Sequence, residues 1–272
     1  MEKIACIGAG SMAESIIEGV LGRGLVSPAS LFVTNKQDHQ RLQYLKEKYN
    51  VQTTYDLDEI LTDASFILLA MKPKDAHEAL EKIKPFVKTG SLIISVLAGI
   101  PIETIENTLG EGVKIVRAMP NTSAAIGKSA TAIAHNHLVS QEEVEDVVQL
   151  FSSIGVTAVV HEEKLDAITG LSGSGPAYIY YIVEAFEQSA KELGLDEQIA
   201  KTFIIQTLMG AGEMLNQTKK EPAALRKAVT SPGGTTEAGL KVLESLHVKE
   251  ALVSCIKEAT RQSKKLGKEY VK

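Results

Sequence analysis

Residues 230–236 combine several groups that could bind a small anion without a charged side chain. The stretch reads Thr-Ser-Pro-Gly-Gly-Thr-Thr and lies between two segments with helical patterns. The proline fixes its own φ, and the two glycines let the backbone turn sharply and approach a ligand closely. Thr235 and Thr236 stand where a helix would begin, so their hydroxyls and amides are predicted to point the same way. The stretch is either a helix cap after a tight turn or a carboxylate-binding loop.

Residues 8–13, Gly-Ala-Gly-Ser-Met-Ala, follow the first strand-like run and open the first helical pattern. This order is the required context for the G-x-G-x-x-G/A pattern of dinucleotide-binding folds. In that pattern the first glycine makes the tight turn, the second admits the pyrophosphate, and the last small residue lets helix and strand pack. The pattern predicts a cofactor loop made of Gly8, Gly10, Ser11, Met12 and Ala13.

The end of the second predicted strand bears on the choice between NAD and NADP. NAD-binding folds usually place a carboxylate there to hold the ribose hydroxyls. Here the strand is followed by Asn35 and Lys36, with Arg41 nearby, and the first carboxylate is Asp38. Asn35 and Lys36 could donate to a 2′-phosphate, so NADPH is the favoured cofactor and NADH is the alternative. Lys36 and Arg41 could instead lie on a solvated helix face.

Further loops follow predicted parallel strands, at the sheet edge where open α/β folds bind ligands. We expect two of these loops to surround the nicotinamide with backbone and small side chains. The residues assigned to them are Ala70, Lys72, Pro73, Ala98 and Gly99. Asn121 follows another strand and is interpreted either as the start of an Asx-type turn or as a cofactor contact.

Short apolar runs alternate with amphipathic stretches over the first part of the chain. The predicted strands are 4–7, 31–34, 66–70, 92–96, 114–118, 129–134 and 157–160. Apolar strands alternating with helices indicate a mostly parallel sheet covered on both faces. Beyond residue 160 only helical patterns follow. The predicted fold is α/β, with a Rossmann-type dinucleotide-binding domain over 1–160 and an all-helical domain over 161–272.

Two of the C-terminal helical segments are apolar on more than one face. Residues 178–183 run almost without a polar interruption, and a similar pattern spans 204–214. A helix that is apolar all round must be buried, and about 110 residues of helix hide that much surface poorly on their own. We therefore expect this domain to form a homo-oligomer, with packing against the first domain as the alternative.

Composition limits the classes of function. The chain has 272 residues, a net charge of −5 and no tryptophan, with aromatic residues at 5%. An acidic chain with few aromatic side chains is a poor partner for nucleic acid. The N-terminus lacks the layout of a signal peptide, no apolar run is long enough for a membrane span, and Cys6 and Cys255 lie far apart, so a cytoplasmic location is expected. No metal-binding pattern is present in the sequence.

Taken together, these motifs resemble those of the pyrroline-5-carboxylate reductase family along essentially the whole chain. The stretches that carry the resemblance are 8–13, 71–73, 117–122, 171–178 and 229–236. The last of these is the most specific. One departure is Ser123, where the family usually has a proline after Asn-Thr.

The resemblance implies reduction of the cyclic imine 1-pyrroline-5-carboxylate to L-proline with NAD(P)H, the last step of proline biosynthesis. By the same resemblance, the substrate carboxylate is held by Ser231, Gly233, Gly234, Thr235 and Thr236. Thr236 is implied as the catalytic residue, with its hydroxyl facing the ring nitrogen. The family also implies a dimer, or a multiple of dimers, formed by the helical domain.

Two other functions compete with this interpretation. A β-hydroxyacid dehydrogenase would have a similar cofactor domain but normally needs a lysine on a helix for the alcohol proton. After residues 173–175 the first lysine is Lys191, so the imine chemistry is favoured. A protein that binds NADP without turnover is the non-enzymatic alternative, and the intact 230–236 loop argues against it.

Overall fold

The structure is a computed structural model that describes residues 3–88 and 90–269. Its first part alternates strands and helices as follows: β1 Ile4–Ile7, α1 Ser11–Gly22, β2 Leu31–Thr34, α2 His39–Tyr49, β3 Gln52–Thr53, α3 Leu57–Leu61, β4 Phe66–Leu69, α4 Ala76–Ile83, β5 Leu92–Ser95, α5 Ile102–Leu109, β6 Lys114–Met119, β7 Ser129–His135, α6 Gln141–Ser152 and β8 Gly155–Val159. The remainder is helical: α7 Leu165–Ile168, a π-helical turn Thr169–Gly173, α8 Gly175–Glu192, α9 Glu197–Thr218, α10 Pro222–Ala228, α11 Thr235–Ser245 and α12 Val248–Glu269.

The strands form one sheet in the order β3-β2-β1-β4-β5-β6-β7-β8. All neighbouring pairs are parallel except β6 with β7, which is antiparallel. The strand order reverses direction between β1 and β4, which is the switch point where doubly wound sheets bind ligands. The predicted α/β, Rossmann-type fold followed by helices is confirmed.

Alternation along β1 divides the core into two layers. Ile4 and Cys6 pack into the cluster on one face of the sheet, and Ala5 and Ile7 pack into the cluster on the other. Strands buried on both faces are continuous apolar runs, and this is why the sequence pattern located them. The predictions missed β3 and α3, and placed the last strand at 157–160 instead of Gly155–Val159.

The chain divides into two compact units. The first runs up to Pro176 and resumes at Lys257, and the second is Ala177–Ile256. The domain boundary near residue 160 stays a prediction, because it follows the change of element type and not compactness. Within 177–256, all of which the structure describes, the buried side chains are Ala190 and Ala200. The large apolar side chains of this unit are therefore mostly exposed on the single chain.

Candidate functional site

A cleft of about 650 Å³ lies at the carboxyl ends of β1, β2 and β4, at the switch point of the sheet. The residues predicted to bind cofactor that line it are Gly8, Gly10, Asn35, Lys36, Ala70 and Lys72. They come from three separate loops, which the parallel strands bring to one edge of the sheet.

Gly8 and Gly10 have different structural roles in this cleft. Gly8 has φ +117°, and a Cβ at this position would stand 2.5 Å from the carbonyl carbon of Ala70. Only glycine tolerates that conformation and that close approach. A Cβ at Gly10 would meet nothing within 4 Å, so the space in front of it is open. This open space, beside the start of α1, fits a pyrophosphate group.

The start of α1 offers backbone amides to the cleft. Gly10 occupies the cap position, and no side chain within the described ranges caps this helix end. Ser11 is exposed and Met12 is half-buried, whereas Ala13 is fully buried in the core. Ala13 therefore serves helix-to-strand packing, and a ligand at this end would meet the free amides of the first turn.

Lys36 reaches from the end of β2 to two carboxylates on the far wall of the cleft. Its Nζ donates to Oε2 of Glu78 at 2.6 Å and lies 3.8 Å from Oδ1 of Asp75. Lys82 Nζ donates to the other oxygen of Glu78 at 2.7 Å. The hydrogen bonds from Lys36 and Lys82 lower the pKa of Glu78 to about 2, so its carboxylate stays ionised. Sequence reasoning missed Glu78, because a helix 40 residues further along brings it here.

Asn35 is held in place by its neighbours. Its Oδ1 accepts from the backbone N–H of Asp38 at 2.8 Å and from the hydroxyl of Tyr55 at 3.1 Å. Its Nδ2 donates to the carbonyl of Asp38 at 2.8 Å. Asn35 is therefore an ordered turn residue, and Tyr55 is a cleft residue that the sequence did not reveal.

Arg41 supports the glycine loop and does not face a ligand freely. Its Nε donates to the carbonyl of Ala9 at 2.7 Å, and its Nη2 donates to Oε2 of Glu14 at 2.6 Å. Glu14 also accepts hydrogen bonds from Lys48 and Tyr49. Burial alone would raise the pKa of Glu14, but the bonds from Lys48, Arg41 and Tyr49 together outweigh it and lower that pKa to about 2.

Three further residues assigned to the cofactor do not line this cleft. Pro73 begins a 3-10 turn, Pro73–Asp75, just after Lys72. Ala98 and Gly99 lie in the loop after β5, where Gly99 has φ +79° and packs against the backbone of Gly267 in α12. For these three residues, as for the other residues assigned to the cofactor, contact with it stays a prediction.

The Asn121 amide is used within the protein. Its Oδ1 accepts from the backbone N–H of Ser123 at 3.1 Å, and its Nδ2 donates to the carbonyl of Ser172 at 3.0 Å. The Asx-type turn considered for this position is what the structure contains. The bond from the Ser123 N–H is one that a proline, the residue expected here from the family resemblance, could not make.

Helix α11 begins at Thr235, as predicted from the sequence, so the last two residues of the 230–236 loop lie in the first turn of this helix. Gly233 has φ +72°, and the Gly234 N–H donates to the carbonyl of Ser231 at 3.0 Å, which closes a tight turn. The Gly233 N–H donates to Oε2 of Glu237 at 2.9 Å.

The polar groups on the outer side of this loop are exposed. Ser231, Thr235 and Thr236 are exposed, and their hydroxyls have no partner among the described residues. No side chain in the described part of the chain caps the start of α11. The loop therefore presents free hydroxyls and free helix-start amides, which together can hold a carboxylate.

Residues 3–88 and 90–269 provide neither a metal site nor a membrane-spanning helix. No group of three or more His, Cys, Asp or Glu side chains in these ranges is placed to hold a metal ion. Every helix within them is too short or too polar to span a lipid bilayer.

Two family models match the chain. One, described as an NADP oxidoreductase, coenzyme F420-dependent, matches residues 3–99. The other, described as pyrroline-5-carboxylate reductase dimerisation, matches residues 162–266. The glycine loop, the cleft at the switch point and the first match together define an NAD(P)-dependent oxidoreductase.

Individual relatives identify the family within this class of oxidoreductases. "Pyrroline-5-carboxylate reductase 2" of Bacillus subtilis is 45% identical over 270 residues, which cover 99% of this chain and 97% of the relative. A solved pyrroline-5-carboxylate reductase from Coxiella burnetii is 36% identical, with a TM-score of 0.90 and coverage of 97% and 98% of the two chains. The solved Plasmodium falciparum pyrroline carboxylate reductase with NADP bound is 27% identical, with a TM-score of 0.88 over 98% of each chain. This chain belongs to the pyrroline-5-carboxylate reductase family.

Proposed function

We propose that the protein reduces 1-pyrroline-5-carboxylate to L-proline with NADPH or NADH. The observation that carries the proposal is full-length similarity to pyrroline-5-carboxylate reductases, at up to 45% identity among the relatives described above. The relative crystallised with NADP has the same fold over nearly its whole length. The cleft with its open Gly10 position supports cofactor binding on this chain.

The proposed roles of the residues follow from their positions. The amides at the start of α1 and the open space at Gly10 would hold the pyrophosphate, and Asn35 and Lys36 would face the adenosine ribose. A bound reduced nicotinamide supplies the hydride. Ser231 and the amides at the start of α11 would hold the substrate carboxylate by hydrogen bonds.

Thr236 is the proposed catalytic residue. Its exposed hydroxyl can accept a hydrogen bond from a protonated ring nitrogen and so orient the imine carbon. Because a protonated imine is already a strong hydride acceptor, the reaction needs positioning more than a strong general acid. The absence of a histidine or carboxylate from the 230–236 loop is consistent with this chemistry.

We also propose a homodimer, or a multiple of dimers, formed by the helical part of the chain. The match of residues 162–266 to a dimerisation family supports it. The exposed side chains of α9, among them Phe203, Ile205 and Met209, provide an apolar surface of the kind that a second copy would cover. A cytoplasmic location is proposed from the two free cysteines, Cys6 and Cys255.

The test is a reductase assay with the purified chain. NADPH absorbance is followed with 1-pyrroline-5-carboxylate, then with a series of 3-hydroxy acids and NADP in the oxidative direction. We expect rapid NADPH oxidation with the imine, formation of proline, and no reaction with the hydroxy acids. NADPH binding with no oxidation by the imine would contradict the proposed function and favour a protein that binds cofactor without turnover.

A further inference from the structure

Glu78 occupies an unusual position in the cofactor cleft. Its carboxylate lies between two ammonium groups, with Lys36 on one oxygen at 2.6 Å and Lys82 on the other at 2.7 Å. Two lysines bridged by one anion form a site that a phosphate group could also occupy. In the structure this position is taken by the protein's own side chain.

Lys36 is the cation best placed to meet a 2′-phosphate. It follows β2, whose end faces the adenosine ribose in dinucleotide-binding folds. Arg41, the other basic side chain considered for this role, is held by Ala9 and Glu14. Any selectivity for a 2′-phosphate therefore depends largely on Lys36, and Lys36 is paired with Glu78.

We propose that Glu78 sets the selectivity between the two nicotinamide cofactors by competing with the 2′-phosphate for Lys36 and Lys82. This inference rests on the proposed use of NAD(P)H. Glu78 lowers the preference for the 2′-phosphorylated cofactor, because binding the phosphate requires the Lys36–Glu78 pair to open. The cofactor without that phosphate leaves the pair intact.

The surroundings of the pair determine the expected size of the effect. The side chains of Lys36 and Glu78 are 57% and 48% exposed, so both can move and both are screened by solvent. Exposed ion pairs contribute little, so Glu78 can be displaced and weakens phosphate binding without preventing it. Removing its charge also removes its repulsion of the phosphate. We expect an effect of roughly threefold to tenfold on the selectivity ratio.

The test uses two adenosine fragments and does not depend on turnover. Binding of adenosine 2′,5′-bisphosphate and of 5′-AMP to the full chain is measured by calorimetry at low salt. We expect Glu78→Gln to bind the bisphosphate roughly threefold to tenfold more tightly, with little change for 5′-AMP. Glu81→Gln, which removes the same charge from an exposed position on the same helix, is the matched control and should leave the ratio unchanged.

A double variant establishes whether Glu78 acts through the lysine. In a Lys36→Gln background, Glu78→Gln should lose most of its effect on bisphosphate binding, because Lys36, the main cation for which it competes, is gone and only Lys82 remains. An unchanged ratio in Glu78→Gln, or an equal change in Glu81→Gln, would overturn the inference while leaving the proposed function intact. If the wild-type chain bound neither fragment, the assignment of this cleft to the cofactor would be wrong, and this inference would fail with it.

Discussion

The cofactor cleft and the 230–236 loop both offer sites for an anion, but they are built from different groups. The cleft combines helix-start amides with charged side chains, and its loops are fixed by a sheet buried on both faces. The loop in the helical unit has hydroxyls and amides, and its neighbouring helices are exposed on the single chain. One chain is therefore sufficient to order the first site, and we expect the second to require the covering of its helices by another copy.

The cofactor cleft and the 230–236 loop also differ in how they select their ligands. Charged side chains attract phosphate over some distance, but salt screens them. Another charged group can also compete with the phosphate for them, as Glu78 competes for Lys36. Neutral donors in a fixed turn attract less at a distance and distinguish ligands by geometry. This division suits a shared cofactor that must be captured and released, and a small substrate that must be oriented.

The largest expected effect comes from Gly8, which supports the cleft through backbone geometry. Gly8→Ala should destabilise the protein by at least about 2 kcal/mol and abolish cofactor binding, because its φ is positive and its Cβ would meet the Ala70 backbone. Urea unfolding and calorimetry with NADP measure the two effects.

Gly10→Ala is the matched control for that change. It should stay within about 1 kcal/mol of wild-type stability, since a Cβ there meets nothing within 4 Å. Its methyl group would occupy the open space, so NADP affinity should still fall by at least about tenfold. Equal stability losses in the two variants would contradict the separate roles given to these glycines.

The next expected effect tests the need for a second copy. Ile205→Glu places a charge on the exposed apolar surface of α9 and should raise the dimer dissociation constant by more than about 100-fold, with loss of activity. Sedimentation at micromolar concentration measures this change. Gln40→Glu on α2 adds the same charge to an exposed site of the first unit and should have no effect. A wild-type chain that sediments only as monomer would refute the proposed oligomer.

Removal of the Thr236 hydroxyl tests the role of the 230–236 loop in the reaction. Thr236→Ala should lower kcat by roughly 10- to 100-fold, about 1.4–2.7 kcal/mol, because the ring nitrogen loses its hydrogen-bond partner. NADPH affinity should not change. Ser245→Ala, at the other end of the same helix, removes a hydroxyl that bonds only the Val242 carbonyl among the described residues, and it should retain full activity. Wild-type kcat in Thr236→Ala would exclude the hydrogen-bond role.

The sequence predicted the fold well because its signals are local. Buried parallel strands are continuous apolar runs, and the helices of the second unit start and stop at clear breaks, as α11 does at Thr235. The two short elements, β3 with two residues and α3 with five, were missed because neither is long enough to show a period.

The local geometry of the candidate sites could be predicted only where it depends on one stretch of chain. Gly8 and Gly10 follow from their motif, and the turn at Gly233 follows from composition. The pairing of Lys36 with Glu78 joins residues 42 apart, and that of Arg41 with Glu14 joins residues 27 apart. Such pairs depend on the packing of α4 and α2 against neighbouring loops, and no local pattern in one sequence encodes that packing.

The smallest expected effect tests the support behind the cofactor cleft. Glu14 has a pKa lowered to about 2, against an ordinary value of about 4.3, so its ionised form stabilises the fold. That contribution is present above pH 4.3 and is lost as the pH falls through 2. Glu14→Gln should therefore lower the free energy of unfolding by about 1–2 kcal/mol at pH 7 and by much less near pH 2.

Urea unfolding between pH 2 and pH 7 measures this difference. Glu18→Gln is the control, because Glu18 accepts a single hydrogen bond, from Tyr49, among the described residues, and its loss should cost less than about 0.5 kcal/mol at every pH. A Glu14→Gln deficit that stayed constant with pH would mean that Glu14 acts through packing alone. A deficit that shrinks toward low pH, together with weaker NADP binding at pH 7, would link this ionised carboxylate through Arg41 to the glycine loop.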